Sequence, residues 1–194
     1  MSENNLMFAC YPEAAFGGFT NVDGTIRFYM RVNALVQPSS VALDIGCGRG
    51  AYADDPVPFR RQLRILRGKC QRVIGIDVDQ AARENPFVDE FRPLTDERWP
   101  IEDASIDLCL SDYVLEHVQQ PETFFAECAR VLKPGGHLCI RTVNKCGYVA
   151  LAARCIPNRF HAGLLARTQT DRLAADVFPT WYRCNTPRMV RRLM

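Results

Sequence analysis

The 194-residue sequence has no run of eighteen uninterrupted apolar residues, so nothing in it reads as a membrane-spanning helix. Its opening, MSENNLMFAC, lacks the basic-then-apolar order of a secretory signal, and the expected location is the cytoplasm. An excess of charge of one sign is missing too. The 24 lysines and arginines stand against 22 acidic residues, a formal net charge of +2, so composition asks for neither a nucleic-acid nor a membrane partner. Histidine is scarce, at three residues, and although there are nine cysteines, no two are spaced C-x-x-C. An odd number of cysteines, with Cys47, Cys109 and Cys139 inside apolar or glycine-rich segments, reads as reduced thiols packed as small hydrophobes; no metal site is expected. Internal repeats and low-complexity linkers are absent. So is any Asn-Pro-Pro-Tyr or Asp-Pro-Pro-Tyr tetrapeptide suited to a flipped base, and no nucleic-acid substrate is expected.

What is present is one domain's length of alternating strand and helix patterns. Apolar residues from Ile26 to Val36 fit one helical face, which Pro38-Ser39-Ser40 stops. Val41–Ile45 and Arg72–Asp77 read as short buried strands, Glu90–Leu94 as a weaker one, Ile106–Ser111 as a fourth and His137–Thr142 as a fifth. Helices are predicted near Phe59–Arg67 and from Pro121 to Leu132, the latter ended by Lys133-Pro134-Gly135-Gly136. Strands apolar on both faces, alternating with helices, predict a parallel sheet covered on both sides, a doubly wound α/β fold. Ligands of such folds bind beyond the carboxyl ends of the strands, where the glycine turn after Ile45, Asp77 and Ser111 all fall.

The turn itself discriminates between ligands. A dinucleotide fingerprint, G-x-G-x-x-G, seats a pyrophosphate on a helix start. Here Gly46-Cys47-Gly48-Arg49-Gly50 brings the third glycine one residue early. Asp44 beside that turn would repel a phosphate by about 1 kcal/mol or more. S-adenosyl-L-methionine reverses the sign, because it carries an ammonium and a sulfonium and no phosphate. Asp44 can then hold the ammonium, directly or through water, while Gly46 and Gly48 let the backbone approach without a Cβ. Asp77, ending RVIGID, can accept from both ribose hydroxyls.

LDIGCGRG, VIGIDVD, DASIDLCLSDYVLEHV and RVLKPGGHL, occurring in that order, resemble the successive motifs of class I S-adenosylmethionine-dependent methyltransferases. The resemblance is closest to the small-molecule group that includes the ubiquinone and menaquinone enzymes, and it covers roughly residues 40–143. It implies a Rossmann-like sheet, S-adenosyl-L-methionine as cofactor and a small-molecule or glycan-type acceptor. Cofactor contacts are implied for Asp44, Gly46, Cys47, Gly48, Asp77 and Val78. An acidic residue just before WPIEDASID is implied to meet the adenine amine; Asp96 takes that place, with Thr95 as the alternative register. Ser111 is implied to approach the methionine part. The sequence departs from the family's spacing where Pro56 and Pro58 lengthen the path from the glycine turn to Asp77, leaving AYADDPVP as a loop at the rim of the crevice.

For a hydroxyl acceptor a general base helps, and histidine is the commonest. His117, after the fourth strand, and His161, in the later segment, are the candidates; His137 reads as structural. For His117 the plainer alternative is a helix-start histidine with a structural hydrogen bond. Glu116 and His117 alone do not make a metal site. Tyr11, Phe16, Phe19, Phe28 and Tyr29 read either as pocket wall or as packing against the sheet. Between Arg154 and Arg192, eight arginines face two aspartates, a solvated face or a surface for an anionic substrate, lipid or partner.

The chain therefore reads as a single methyltransferase domain: a cap over 1–40, a cofactor-binding core over 41–143, and an acceptor-side lid region over 144–194. The two strands that end such sheets are expected to be missing, which would expose the fifth strand's edge and offer a route to a homo-oligomer. Thr186 and Pro187 predict a final short helix instead. Two rival readings stand beside this one: a non-catalytic methyltransferase-like binding protein, and an NAD-dependent oxidoreductase, which Asp44 and the early glycine oppose.

Overall fold

The computed structural model describes residues 9–144, 147 and 179–194. Five strands form one sheet: β1 (Val41–Ile45), β2 (Arg72–Asp77), β3 (Glu90–Pro93), β4 (Ile106–Asp112) and β5 (Leu132–Arg141), in the order β3-β2-β1-β4-β5. β1 pairs parallel with β2, Asp44 opposite Gly75, and β2 parallel with β3, Asp77 opposite Pro93. All but the first residue of β2 is buried, which a strand achieves only when both faces are covered. This is the Rossmann-like doubly wound architecture that the apolar strand runs predict.

Among the helices of the described residues are the α-helices α1 (Gly24–Leu35), α2 (Pro58–Arg64), α3 (Pro121–Val131) and α4 (Pro187–Leu193). α1 starts where Asp23 Oδ1 accepts from the N–H groups of Thr25 and Ile26, at 2.9 and 3.0 Å, and it buries Ile26, Tyr29 and Val32 along one face. Tyr29 and Val32 join Ala42, Cys47, Val73, Val88, Leu108 and Leu110 in one apolar cluster. α2 begins a residue earlier and stops three sooner than the sequence pattern predicts. Pro58 takes a first-turn position where its missing N–H costs nothing, and Ile65 is already extended. α4 forms as predicted, Thr186 Oγ1 accepting from the Met189 N–H at 3.3 Å.

β5 differs more from expectation, starting at Leu132 and not at His137. The Lys-Pro-Gly-Gly stretch, although Gly135 takes a left-handed φ of 80°, runs within the strand and is fastened to β4. Lys133 Nζ donates to Asp107 Oδ2 at 2.8 Å, the same oxygen that accepts from the Val41 N–H at 2.8 Å. Beside Gly136 the Asp107 carbonyl oxygen would stand only 3.1 Å from a Cβ. Burial alone would raise the Asp107 carboxyl, yet Lys133 and the Val41 amide outweigh it and hold the group below its ordinary range.

By its contacts the chain divides into two units, residues 1–110 with 130–139, and residues 111–129 with 140–194. β1, β2, β3, and most of β4 and β5 belong to the first. No helix among the described residues is long and apolar enough to cross a membrane.

Candidate functional site

In the first unit the glycine turn is built from β2. The N–H groups of Gly46 and Cys47 both point at the Ile76 carbonyl, at 2.8 and 3.3 Å. The next amide, Gly48, donates to Asp77 Oδ2 at 2.9 Å, while Asp77 Oδ1 accepts from the Asp79 N–H at 2.8 Å. Gly46, Gly48 and Gly50 all have positive φ, which a side chain would strain. Arg49 closes the turn on its outer side, Nε and Nη2 reaching Asp79 Oδ2 at 3.2 and 2.8 Å. That contact holds the Asp79 carboxyl below its usual range.

Beneath the turn lies Asn85, buried at 3% exposure. Its Nδ2 donates to the carbonyls of Cys47 and Gly48 at 2.9 and 3.1 Å, and its Oδ1 accepts from the Phe87 N–H at 2.9 Å. A Cβ at Gly50 would stand 2.8 Å from that Oδ1. Beside Gly48, by contrast, no atom of the described residues other than its chain neighbours lies within 4 Å of a Cβ position. The turn is thus packed solid below Gly50 and open above Gly48.

Cys47, expected among the cofactor contacts, turns its thiol inward. Sγ fills a notch in β2 where a Cβ on Gly75 would come within 2.7 Å. Burial, then the negative charges of Asp44 and Asp77, push that thiol far above its ordinary range, so it stays protonated and serves the turn through its backbone. Asp44, partly buried at the end of β1, also raises the Tyr52 phenol, after burial itself. Tyr52 stacks on Phe87 with ring centroids 4.8 Å apart, and the Arg64 guanidinium lies 4.4 Å over the Tyr52 ring and 5.7 Å over that of Tyr29. The segment AYADDPVP, a departure in spacing, therefore supplies an aromatic residue to the same neighbourhood.

The structure brings Gly46, Gly48, Asp77 and Val78 together at the carboxyl ends of β1 and β2, with Asp44 two residues before Gly46. Val78 is exposed, directly after Asp77. Asp96 is also exposed, in the loop after β3, where it accepts from Thr95 Oγ1 at 2.9 Å.

Ser111 and His117 belong to the second unit. Ser111 is fully buried and its Oγ has no hydrogen-bond partner among the described residues. Asp112 next to it is gripped by Arg141, Nε to Oδ1 at 2.5 Å and Nη2 to Oδ2 at 2.7 Å, and that guanidinium lies 4.7 Å over the Tyr113 ring. Tyr113 holds a φ of 57°, a left-handed conformation that costs a non-glycine residue about 1–2 kcal/mol. Glu116, buried at 6% exposure, accepts from Thr142 Oγ1 at 2.8 Å. His117 Nδ1 lies 2.9 Å from the Pro179 carbonyl oxygen. His161 falls outside the described residues, as does most of the stretch expected to form a lid. Among the described residues no group of three His, Cys, Asp or Glu side chains could hold a metal ion.

Sequence reasoning missed Asn85, Tyr52 and the Arg49–Asp79 pair. Only the last left a trace, an arginine directly after Gly48 and an aspartate directly after Val78.

The sequence model of the methyltransferase-domain family matches residues 43–140. A Mycolicibacterium smegmatis protein named a probable S-adenosylmethionine-dependent methyltransferase is 34% identical over 108 residues, 53% of this chain and 38% of that protein. The ubiquinone biosynthesis O-methyltransferase of Rhizobium etli is 32% identical over 103 residues, 53% of this chain and 41% of the enzyme. Among solved structures, the YcgJ protein of Bacillus subtilis shares 24% identity over 59% of this chain and 48% of that one, with a TM-score of 0.46. The matches thus span about two fifths of each curated relative's length.

Proposed function

Because this chain belongs to the methyltransferase-domain family, we propose that it transfers the methyl group of S-adenosyl-L-methionine to a small-molecule or glycan-type acceptor. The observation that carries this reading is Asp77. Each of its oxygens already accepts one backbone N–H, which fixes the carboxylate rigidly. A carboxylate has about four lone-pair sites, so two remain for the ribose hydroxyls. The residues fit the cofactor in three further ways. Space is open above Gly48, Asp44 is a carboxylate that suits a cationic ligand better than a phosphate, and in the second unit the buried Ser111 Oγ lacks a partner among the described residues. Asp96 and Val78 would meet the adenosine part.

When bound, the cofactor supplies a methyl group already activated by its sulfonium. The protein's task is then alignment and exclusion of water. Asp77 and the glycine turn form one rigid piece and hold the adenosyl end still. His117, or His161, takes the proton of a hydroxyl acceptor. The cytoplasm as place of action and self-association along the outer edge of β5 belong to the same proposal, the latter readable by light scattering on the eluting protein.

Calorimetric titration with S-adenosylhomocysteine, beside NADH, tests the reading. The expected result is binding of the first alone. Asp77→Asn should weaken it at least tenfold, since charge-assisted hydrogen bonds contribute about 1.5–3 kcal/mol each. Binding of NADH in its place, or no heat from a folded sample, would overturn the proposal. Isotope-labelled methyl transfer across a panel of phenolic and glycan acceptors then identifies the second substrate.

A further inference from the structure

His117 closes the short turn Leu115–His117 after β4, its own N–H donating to the Val114 carbonyl at 2.8 Å. The 2.9 Å contact between its Nδ1 and the Pro179 carbonyl oxygen determines more than the position of the ring. A carbonyl oxygen has no proton to give, so Nδ1 must carry the hydrogen. The neutral imidazole then bears its lone pair on Nε2. A histidine side chain free in water prefers the opposite tautomer, and the contact reverses that preference.

Pro179 has no N–H, so its carbonyl is its one backbone hydrogen-bonding group, and the residues that follow hold it in register. The N–H groups of Trp181 and Tyr182 both donate to the Glu116 carbonyl, at 2.7 and 3.2 Å. Arg183 Nη1 donates to the Gln119 carbonyl at 2.8 Å. Asn185, buried at 1% exposure, donates from Nδ2 to Thr142 Oγ1 at 2.5 Å, and that hydroxyl in turn donates to Glu116 Oε2 at 2.8 Å. The Glu116 backbone and side chain are therefore both fastened, one directly and one through Thr142, to the segment that presents the carbonyl to the next residue, His117.

We propose that residues 179–185 position the candidate base: the Pro179 carbonyl holds His117 in the Nδ1–H tautomer and so makes Nε2 the atom that accepts a proton. Pro179 is a positioning residue, acting through His117. After proton uptake at Nε2 the imidazolium keeps its Nδ1–H on the same oxygen, a charge-assisted bond stronger than the neutral one. The purpose of this arrangement rests on the methyltransferase reading above, and its geometry does not.

The test is a two-bond proton–nitrogen correlation spectrum of the full chain labelled with 15N-histidine, recorded at alkaline pH where the rings are neutral. His117→Gln, His137→Gln and His161→Gln assign the signals. The expected His117 pattern has a pyrrole-type Nδ1 and a pyridine-type Nε2. Pro179→Ala keeps the carbonyl and should leave that pattern in place. Trp181→Pro removes one N–H that pins the segment and should move the ring toward the Nε2–H form. An Nε2–H ring in the unmodified protein overturns the proposal, whatever becomes of the variants. A titration with S-adenosylhomocysteine on the same sample separates the two readings. An Nδ1–H ring in a protein that binds none supports the tautomer assignment and sinks the methyltransferase function instead.

Discussion

Gly48 and Gly50 stand two residues apart in one turn, both with positive φ, yet their surroundings make them different experiments. Gly48→Ala should cost about 1–2 kcal/mol of stability, the strain of a left-handed alanine. Its Cβ would enter the open space above the turn, so binding of S-adenosylhomocysteine should fall at least tenfold. Gly50→Ala meets Asn85 Oδ1 and must displace a side chain that makes three hydrogen bonds. Strain plus buried groups left unpaired predict a loss of about 3 kcal/mol or more. Urea unfolding of the two variants side by side checks this, and equal losses would contradict it. The glycines were legible because the residue type itself announces a backbone need. Asn85 was not, since the carbonyls it serves lie 38 and 37 residues away in sequence and only the fold makes them neighbours. Cys47 was legible as part of the turn, but its inward direction depends on the absence of a side chain at Gly75.

At the scale of single elements, the start of α1 carries a testable electrostatic design. Arg60 joins the cap residue Asp23, through Nη1 at 2.9 Å, to Asp55, which it grips with Nε and Nη2 at 2.6 and 2.7 Å. Asp23→Ala loses both cap and ion pair and should cost about 1–2 kcal/mol, whereas Asp23→Asn keeps the cap and should cost less. Arg60 holds the Asp55 carboxyl below its ordinary range when folded. A carboxylate lowered on folding adds stability that is complete above its unfolded pKa, about 3.9, and is lost as pH falls through the folded value. The stability gap between the native protein and Asp55→Asn should therefore be constant near neutrality and close progressively below about pH 4, as acid titrations of both would reveal. Elements with a local punctuation mark were readable: the proline that opens α2, the Thr186-Pro187 start of α4, the apolar runs of β1 and β2. The start of β5 was not. Lys-Pro-Gly-Gly has the local chemistry of a turn, and it is drawn into the strand through contacts with Asp107, more than twenty residues upstream.

At the scale of the whole molecule, ligand and fold are linked. A ligand that binds only the native state adds about 2.7 kcal/mol at a hundred times its dissociation constant. For a chain of 194 residues that corresponds to a rise in melting temperature on the order of 5–10 °C. S-adenosylhomocysteine should produce such a rise, NADH none, and Asp77→Asn should need a correspondingly higher concentration for the same effect. Absence of any rise at saturating ligand would argue against a site on the native state. The doubly wound architecture was readable because strands covered on both faces leave continuous apolar runs in the sequence. The acceptor was not, because specificity belongs to side chains that no motif spacing constrains. The thiol seated in the β2 notch has one more consequence, for how the chain finds its pairing. Parallel strands read only by their apolar residues could slip by two positions and still bury the same faces. Such a slip would set Val73 or Asp77 where Gly75 stands, and neither leaves room for Cys47 Sγ. The missing side chain thus works as a registration mark, admitting one alignment of β1 on β2 and rejecting its nearest counterfeits while the sheet is still assembling.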